Sequence, residues 1–324
     1  MDFDAKSLDK NKIISLLNLN ENDAEKLFLH ADEITNRLYK GVEIRAIIEF
    51  SNYCKRNCLY CGINCKSNVE RYRMSKDEII SLAEEARDAG FKTVILQSGE
   101  DVFYEEKAIV EIIKEIKELE IALTLSIGER PFGELKTFKE AGADRYLLKH
   151  ETSDEALYKK LHPDAEIKDR IATLKHLKEL GYETGSGFMI GLPNQTIDSI
   201  ADDILLLKEI GCDMAGIGPY LQSSRTALKN SPQGNAFLVS KAVAITRILM
   251  GKINLPSTTS LSVLDKAARN RLYLCGANVL MRSITPQKYK KLYDIYDAEF
   301  EEKTPEEIYS ETVDIIKSIG KIAI

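Results

Sequence analysis

The sequence predicts an α/β fold, a (β/α)8 barrel of the TIM type with helices ahead of it. Three observations carry this. Strand-like runs alternate with amphipathic helical stretches, several helical stretches end on glycine before the next strand, and the 324 residues contain no linker or low-complexity tract. Strands that alternate with helices form parallel sheets, because parallel neighbours need long crossovers. A doubly wound open sheet is the alternative.

Residues 1–42 read as an N-terminal helical segment packed on the barrel, and 43–324 as the barrel with a C-terminal helix. Asn20-Glu-Asn-Asp23 offers a helix start, and Ala24, Leu27, Phe28 and Ile34 give an apolar face. Eight strand-like runs follow: Glu43–Phe50, Thr93–Gln97, Ala122–Ser126, Arg145–Leu148, Glu183–Ile190, Asp213–Ile217, Ile253–Pro256 and Ala277–Met281. Between them lie helical stretches such as Lys76–Ala89, with Ile79, Ile80, Leu82 and Ala83 on one side, and Ile197–Ile210, with Ile200, Ile204, Leu205 and Leu207. Gly90, Gly142, Gly181 and Gly211 sit just past helix ends, where a left-handed backbone is needed.

Hydrophobic residues make up 44% and charged residues 30%, which suits a large core. Net charge is −6 and no Lys/Arg block stands out, so nucleic acid is not an expected partner. No apolar run reaches the length of a membrane span. Met1-Asp-Phe-Asp-Ala-Lys-Ser-Leu-Asp has no charged segment followed by an apolar one, so no signal peptide is expected and the expected location is cytoplasmic.

Four of the six cysteines crowd between Cys54 and Cys65. Cys54, Cys58 and Cys61 have the spacing C-x3-C-x2-C, directly after the first strand. Three thiolates this close suit three irons of one 4Fe–4S cluster, which leaves a fourth iron open for chemistry. A zinc site with Cys65 as fourth ligand is the alternative. Cys212 and Cys275 are isolated in apolar surroundings and read as core residues.

A barrel gathers its chemistry at the C-terminal ends of its strands. That directs attention to Ser98-Gly99-Glu100, to Ser126, to Lys149-His150-Glu151, to Met189 and Ile190 in a glycine-rich run, and to Gly216 and Gly218. Lys149 and Glu151 point the same way if the strand continues, and His150 points away as a structural histidine. Arg170 by itself reads equally as a solvent-facing helix charge, and Gly216 and Gly218 equally as turn residues.

The cysteine triad with an aromatic residue, Tyr60, before its last cysteine resembles the radical S-adenosylmethionine (SAM) superfamily. That resemblance implies a 4Fe–4S cluster on Cys54, Cys58 and Cys61, whose open iron takes SAM. It implies reductive cleavage to methionine and a 5′-deoxyadenosyl radical, with the hard chemistry carried by the cofactor. Ser98 and Glu100 resemble the family's GGE motif, in which a carboxylate accepts charge-assisted bonds from the SAM ammonium group. By the same resemblance Glu151 takes a ribose hydroxyl and Arg170 the SAM carboxylate. Gly185–Pro193, with Met189 and Ile190, is similar to the adenine-contacting stretch, and Tyr60 and Ser126 complete the expected cofactor contacts.

At finer grain the chain resembles the HydE family of FeFe-hydrogenase maturases. The matching stretches include Ile47-Ile-Glu-Phe-Ser-Asn52, Arg71-Tyr-Arg-Met74, Leu96-Gln-Ser-Gly-Glu-Asp101, His150-Glu-Thr152, Gly216-Ile-Gly-Pro219 and Cys275-Gly-Ala-Asn-Val279. This implies a part in building the di-iron centre of the hydrogenase, and a small-molecule or small organometallic substrate. The chamber for it would involve Lys149, Thr258, Thr259, Met281 and the Tyr289/Tyr293/Tyr296 group, whose plainer reading is a helix packed on the barrel. The implied partners are an electron donor such as ferredoxin or flavodoxin and other maturation proteins.

Departures from that family are Lys149 in place of its arginine, the run Tyr220-Leu-Gln-Ser-Ser-Arg-Thr226 in place of a Pro-His-Pro segment, and Met281-Arg282 in place of Met-Pro. No cysteine follows Cys275, so an auxiliary C-terminal cluster is not expected. Cys65 and the Arg-Tyr-Arg run also resemble methylornithine synthase, PylB, a lysine mutase. Ile217–Tyr220 and Ser257–Ser262 carry no evident charged pair to orient an amino acid, which places that reading second. A HydE paralogue with another small substrate is third.

Overall fold

A computed structural model describes residue 3, residues 5–298 and residues 301–324. Its strands are β1 (Glu43–Ser51), β2 (Thr93–Ser98), β3 (Ala122–Ser126), β4 (Arg145–Leu147), β5 (Glu183–Ser186), β6 (Met189–Ile190), β7 (Met214–Ala215), β8 (Gly218–Pro219), β9 (Pro256–Ser257) and β10 (Val279–Ser283). Eight of these form one parallel sheet in the order β7-β5-β4-β3-β2-β1-β10-β9. A parallel bridge from Met214 to Asn254, just ahead of β9, brings the two edges together. There Ala215 N donates to Asn254 O and Asn254 N to Asp213 O, each at 2.9 Å. The result is a nearly closed eight-stranded barrel.

The strands expected late in the chain are shorter or shifted. Glu183–Ile190 breaks into β5 and β6 around Gly187, whose φ is +152°. A Cβ on Gly187 would stand 2.2 Å from the Gly216 carbonyl oxygen, so only glycine lets the chain beyond β5 pass the chain beyond β7. β6 and β8 then pair with each other, apart from the main sheet. Asp213–Ile217 shrinks to β7, Ile253–Pro256 begins later as β9, and Ala277–Met281 moves to β10. Ladder ends depend on where neighbouring strands run out, which hydropathy does not encode.

The helices are α1 (Lys10–Leu17), α2 (Glu21–Leu38), α3 (Lys76–Ala89), α4 (Glu106–Glu118), α5 (Phe132–Glu140), α6 (Glu155–Leu161), α7 (Ile167–Glu179), α8 (Ile197–Ile210), α9 (Ala236–Met250), α10 (Thr259–Leu264), α11 (Lys266–Arg271), α12 (Gln287–Lys290) and α13 (Pro305–Ser318). α2 starts where Asn20 accepts from Asp23 N. α3 has a Ser75/Glu78 capping box and ends on left-handed Gly90. α1 and α2 lie on α8 and α9, outside the barrel. The chain end returns to the start of β1, with Val42 N donating to Ile322 O and Ile324 N to Val42 O. Among the described residues no helix is long and apolar enough to cross a membrane.

Alternation along β1 sorts its side chains. Ile44, Ala46, Ile48 and Phe50 join the core between the sheet and the helices. Glu43, Arg45, Ile47 and Glu49 take the opposite face, the lumen. Arg45 is fully buried there and donates to Glu43 at 2.7 and 2.9 Å. Thr93 and Arg145 join the pair, with Arg145 Nε 2.6 Å from Glu183. A buried guanidinium needs such partners. This layer closes the N-terminal end of the lumen and leaves the C-terminal end for chemistry. Cys212 and Cys275 are buried in the core, where burial pushes both thiols up to about 12.

Candidate active site

β1 and β2 end level with each other, Ser51 beside Ser98, and the cysteine loop leaves from this rim. Backbone bonds tie the loop down on several sides: Lys55 N to Glu100 O at 3.1 Å, Leu59 N to Leu161 O at 2.9 Å and Gly62 N to Ile295 O at 2.8 Å. Arg71 holds it by its carbonyls, donating to Asn52, Ile63, Asn64 and Ser67. A planar five-donor fork suits such a cluster of acceptors. Gly99 lets the loop sit close, since a Cβ there would stand 2.2 Å from Tyr53 O and 2.6 Å from Cys54 Cβ. The Glu100 N–H then donates to Cys54 Sγ at 3.4 Å.

Cys54, Cys58 and Cys61 are half-buried and unbridged, whereas Cys65 is exposed, its N–H bonded to Arg56 O at 2.8 Å. Burial pushes all three triad thiols up, Cys61 to about 12, and neighbouring sulfurs add to the effect. Sulfurs this desolvated ionise when a metal cation replaces the proton. Arg170 near Cys58 and Arg71 near Cys61 favour the same ionisation. Three soft donors with an N–H aimed at one sulfur fit an iron–sulfur cluster. Among the described residues no three His, Cys, Asp or Glu side chains form a group able to hold a single metal ion.

Beside the triad lies a ring of alternating charges. Arg56 Nε donates to Glu100 Oε2 at 2.7 Å and its Nη2 to Glu129 Oε2 at 2.9 Å. Arg170 completes the ring, with Nε 2.8 Å from Glu129 Oε1 and Nη2 3.7 Å from Glu100 Oε1. Gly128, at φ +77°, makes room for Glu100: a Cβ there would fall 1.9 Å from Glu100 Cγ. Burial opposes the charge on Arg170, but Tyr158, Glu129 and Glu100 outweigh it and hold its pKa above the ordinary value. Arg170 is therefore no solvent-facing charge. It shares the buried face of α7 with Ile167 and Leu174, at spacings of three and four residues.

Beyond β4 the chain turns inward. Glu151 has φ +67°, a left-handed backbone rare for a side-chain-bearing residue and a mark of functional strain. Lys149 Nζ lies 3.1 Å from Glu151 Oε2, so the two do point the same way. His150 points away, fully buried, with Nδ1 2.9 Å from Ser186 Oγ and Nε2 3.4 Å from Asp203. Glu151 Oε2, Glu129 Oε1, Arg170 Nε and Thr124 Oγ1 are buried without an aligned hydrogen-bond partner. Three of them are held by ion contacts, Glu151 Oε2 with Lys149 and Glu129 Oε1 with Arg170, so Thr124 Oγ1 is the one wholly unsatisfied and the charged atoms keep spare hydrogen-bonding capacity that a polar ligand would use. They fit a zwitterionic group with hydroxyls, such as the amino-acid and ribose parts of SAM.

Tyr60 packs with Met189 against Leu157, Leu161, Leu192 and Tyr220. Its hydroxyl lies 2.8 Å from His162 Nε2, and His162 Nδ1 lies 3.1 Å from Tyr158 O. Burial first, then Arg170, lowers His162 to about 4, so the ring is neutral at pH 7. A carbonyl only accepts, so Nδ1 carries the proton and Nε2 accepts from Tyr60. Ile190 does not share this space. Strand alternation turns it from Met189 into the main core, fully buried, which corrects its expected place against an adenine. Ser98, whose Oγ donates to Gly99 O at 2.7 Å, and Ser126, level with Gln97, sit half-buried on the same rim.

A cavity of about 1210 Å³ reaches from the upper lumen outward past the rim, lined by Gln97, Thr258, Thr259, Met281, Tyr293 and Tyr296 among others. Tyr293 bonds Gln97 at 3.2 Å and Tyr296 bonds Thr259 at 2.8 Å. Tyr289 does not join them: it stacks on Tyr72 and donates to Glu78 at 2.7 Å. Gly218 is no plain turn residue either, since a Cβ there would meet Thr258 Oγ1 at 2.5 Å. Glu49 also lines the cavity, ion-paired with Lys290 and accepting from Ser283 at 2.6 Å.

The Radical SAM superfamily model matches residues 48–207. The chain is 50% identical, over 275 residues, to the "[FeFe] hydrogenase maturase subunit HydE" of Thermotoga maritima, covering 84% of this chain and 79% of that one. This chain belongs to the radical SAM superfamily. It is a radical SAM enzyme that is also 32% identical over 303 residues to the 3-methylornithine synthase of Methanosarcina acetivorans, covering 91% of this chain and 85% of that one. Among solved structures, methylornithine synthase (PylB) matches with a TM-score of 0.87 at 24% identity, covering 99% of this chain and 96% of that one. The FeFe-hydrogenase maturase HydG matches at 0.81 and 20%, covering 98% and 77%. Both structural matches show the shared barrel.

Several residues of this radical SAM site escaped sequence reasoning. Arg56 and Glu129 carry readable signals, a cation inside the cysteine loop and a carboxylate directly after a strand-end glycine. Tyr158 and His162, on α6 and at its end, have no such signal. Glu49 and Lys290 lie 241 residues apart, so only the fold pairs them. They put a charged pair beside the chamber, although Ile217–Tyr220 and Ser257–Ser262 carry none. The pair comes from β1 and α12, not from the loops after the sixth and seventh barrel strands.

Proposed function

We propose that this enzyme helps assemble the di-iron centre of FeFe hydrogenases, as a HydE-type maturase acting on a small or small organometallic substrate in the upper lumen. The 50% identity to a HydE across 84% of the chain carries the reading. Cys54, Cys58 and Cys61 would hold a 4Fe–4S cluster and leave one iron for SAM. When bound, cluster and SAM supply a 5′-deoxyadenosyl radical by one-electron cleavage of the sulfonium.

The chain's own residues bind and orient. Glu100, kept in place by Arg56, accepts from the SAM ammonium group, and Arg170 faces its carboxylate. Glu151, ion-paired with Lys149 through Oε2, takes a ribose hydroxyl. Tyr60, Ser98, Ser126 and Met189 close around the nucleoside. Lys149, Thr258, Thr259 and Met281 face the substrate, and the apolar and tyrosine walls keep water from a reactive species. A ferredoxin or flavodoxin supplies the electron, and other maturation proteins pass the substrate on. The test is maturation of a hydrogenase in a system lacking HydE. Active hydrogenase is expected, and SAM cleavage without maturation would overturn the reading.

A lysine mutase of the methylornithine synthase kind is the second reading. The 32% identity and the Glu49–Lys290 pair beside the cavity favour it, since opposite charges orient an amino acid. Incubation with lysine and SAM, followed by product analysis, separates the two.

A further inference from the structure

Asp203 interrupts the apolar face of α8. Ile200 and Leu207, three residues before it and four after, share its side of the helix, and Asp203 is as fully buried as they are. Its Oδ1 accepts from Ser153 N and lies 3.4 Å from His150 Nε2. Its Oδ2 is buried with no hydrogen-bond partner. A buried carboxylate satisfied on one side only costs stability, and an apolar side chain of similar size would suit the helix face better. Stability therefore does not account for an acid at this position.

What Asp203 holds is the turn after β4. His150 and Ser153 bracket Glu151, whose φ is +67°. From β5, Ser186 Oγ lies 2.9 Å from His150 Nδ1, accepts from His150 N at 3.3 Å and donates to Leu148 O at 3.1 Å. A hydroxyl has one proton and two lone pairs, so these bonds use it fully and Nδ1 is the donor in its contact. The turn is thus pinned from β5 and from α8. Between the pins Glu151 N donates to Gly187 O and Glu151 O accepts from Met189 N, each at 3.0 Å. Two residues at the nucleoside site, Glu151 and Met189, are set by one clamp. A left-handed backbone at a residue with a side chain persists only where its surroundings over-determine it, and this clamp does so.

We propose that Asp203, acting through Ser153 and His150, is a positioning residue for the nucleoside of SAM. It keeps Glu151 in its strained turn, so that the carboxylate stands ready for a ribose hydroxyl. The proposal rests on the reading of Glu151 as the acceptor for that hydroxyl. Asp203 acts only through the turn, and the gain is preorganisation: an acceptor already held in place loses less freedom on binding.

The test uses anaerobically reconstituted enzyme without reductant, the variants D203L, D203N and S186A, and equilibrium dialysis with SAM and its 2′-deoxy and 3′-deoxy analogues. The wild type should bind SAM about tenfold more tightly than at least one analogue, as for a hydrogen bond to a charged acceptor. In D203L that preference should shrink to about twofold, through weaker binding of SAM and unchanged binding of the analogue. D203N keeps an acceptor for Ser153 N and should retain the preference. S186A, the smaller change that serves if D203L does not fold, should shrink it in the same direction. Amide exchange over residues 151–153 should quicken in D203L and not in D203N. A wild-type preference in D203L and S186A overturns the proposal, and so does D203L weakening SAM and both analogues equally, as general loss of structure would. Wild-type protein that binds SAM and both analogues alike, or binds none of them, sinks the reading of Glu151 instead. Exchange over residues 151–153 then decides whether Asp203 holds the turn, and an unchanged rate in D203L overturns it.

Discussion

Arg56 Nε lies 2.7 Å from Glu100 Oε2, so one buried ion pair joins the cysteine loop to the end of β2. Through it, the residues placed at the cluster and the carboxylate placed at SAM form one unit. Removing Glu100 leaves Arg56 and Arg170 short of a counter-charge. E100A is expected to lose about 3 kcal/mol in chemical denaturation, the usual cost of breaking a buried pair. E100Q keeps the shape, and should lose SAM affinity in equilibrium dialysis with a smaller stability loss. Wild-type affinity in E100Q would remove Glu100 from the SAM site.

The triad prediction is direct. C58A, reconstituted anaerobically, should lose the iron–sulfur absorbance and yield no 5′-deoxyadenosine with dithionite. C65A should keep both, because Cys65 is exposed and outside the triad. Cleavage unchanged in C58A would rule out the triad as the cluster site.

Gly128 is a sensitive position because it packs directly against Glu100. G128A puts a Cβ 1.9 Å from Glu100 Cγ on a backbone at φ +77°. The variant should be less stable by about 2 kcal/mol, as for strain at a special backbone position. It should also bind SAM more weakly, because Glu100 must move. G133A, where nothing lies within 4 Å of the added Cβ and the residue is helical, serves as the control: it should leave SAM affinity unchanged and should not lower stability.

Glu151 separates strain from chemistry. E151G relieves the left-handed backbone but loses the Lys149 ion pair and adds chain entropy to the unfolded state, so it should change stability by no more than about 1 kcal/mol. It should nevertheless raise the Kd for SAM at least about tenfold, as for loss of a charged hydrogen-bond acceptor. Unaltered Kd would leave Glu151 a purely structural residue.

His162 sets a pH dependence. Its pKa falls from 6.5 to about 4 on folding, by burial and then by Arg170. The unfolded chain therefore binds the extra proton first as pH falls below 6.5. The stability is fully present above pH 6.5 and is lost as pH falls towards 4, to a limit of about 3 kcal/mol. H162Q should flatten this slope in denaturation curves between pH 7 and 4.5. An identical slope would show that other groups set it.

Legibility in the sequence followed the range of the interactions. α3 and α8 occupy the expected ranges because their caps and apolar faces are local. Cys54, Cys58, Cys61 and the Ser98–Glu100 turn were legible for the same reason, being short spacings after a strand. The side Ile190 takes was not legible, because it depends on where the strand breaks at Gly187, whereas Tyr289 sits in α12, in keeping with the packed-helix reading.

The sequence by itself determined the alternation of strands and helices, the triad, and the superfamily these residues belong to. Only the tertiary structure decided that Arg56, Glu100, Glu129 and Arg170 share one ring, that Glu49 meets Lys290, and that Arg73 lies over Tyr53. The reason is physical. A spacing of three or four residues fixes neighbours through covalent geometry, whereas charges far apart in the chain become neighbours only when a barrel closes and burial forces them to pair.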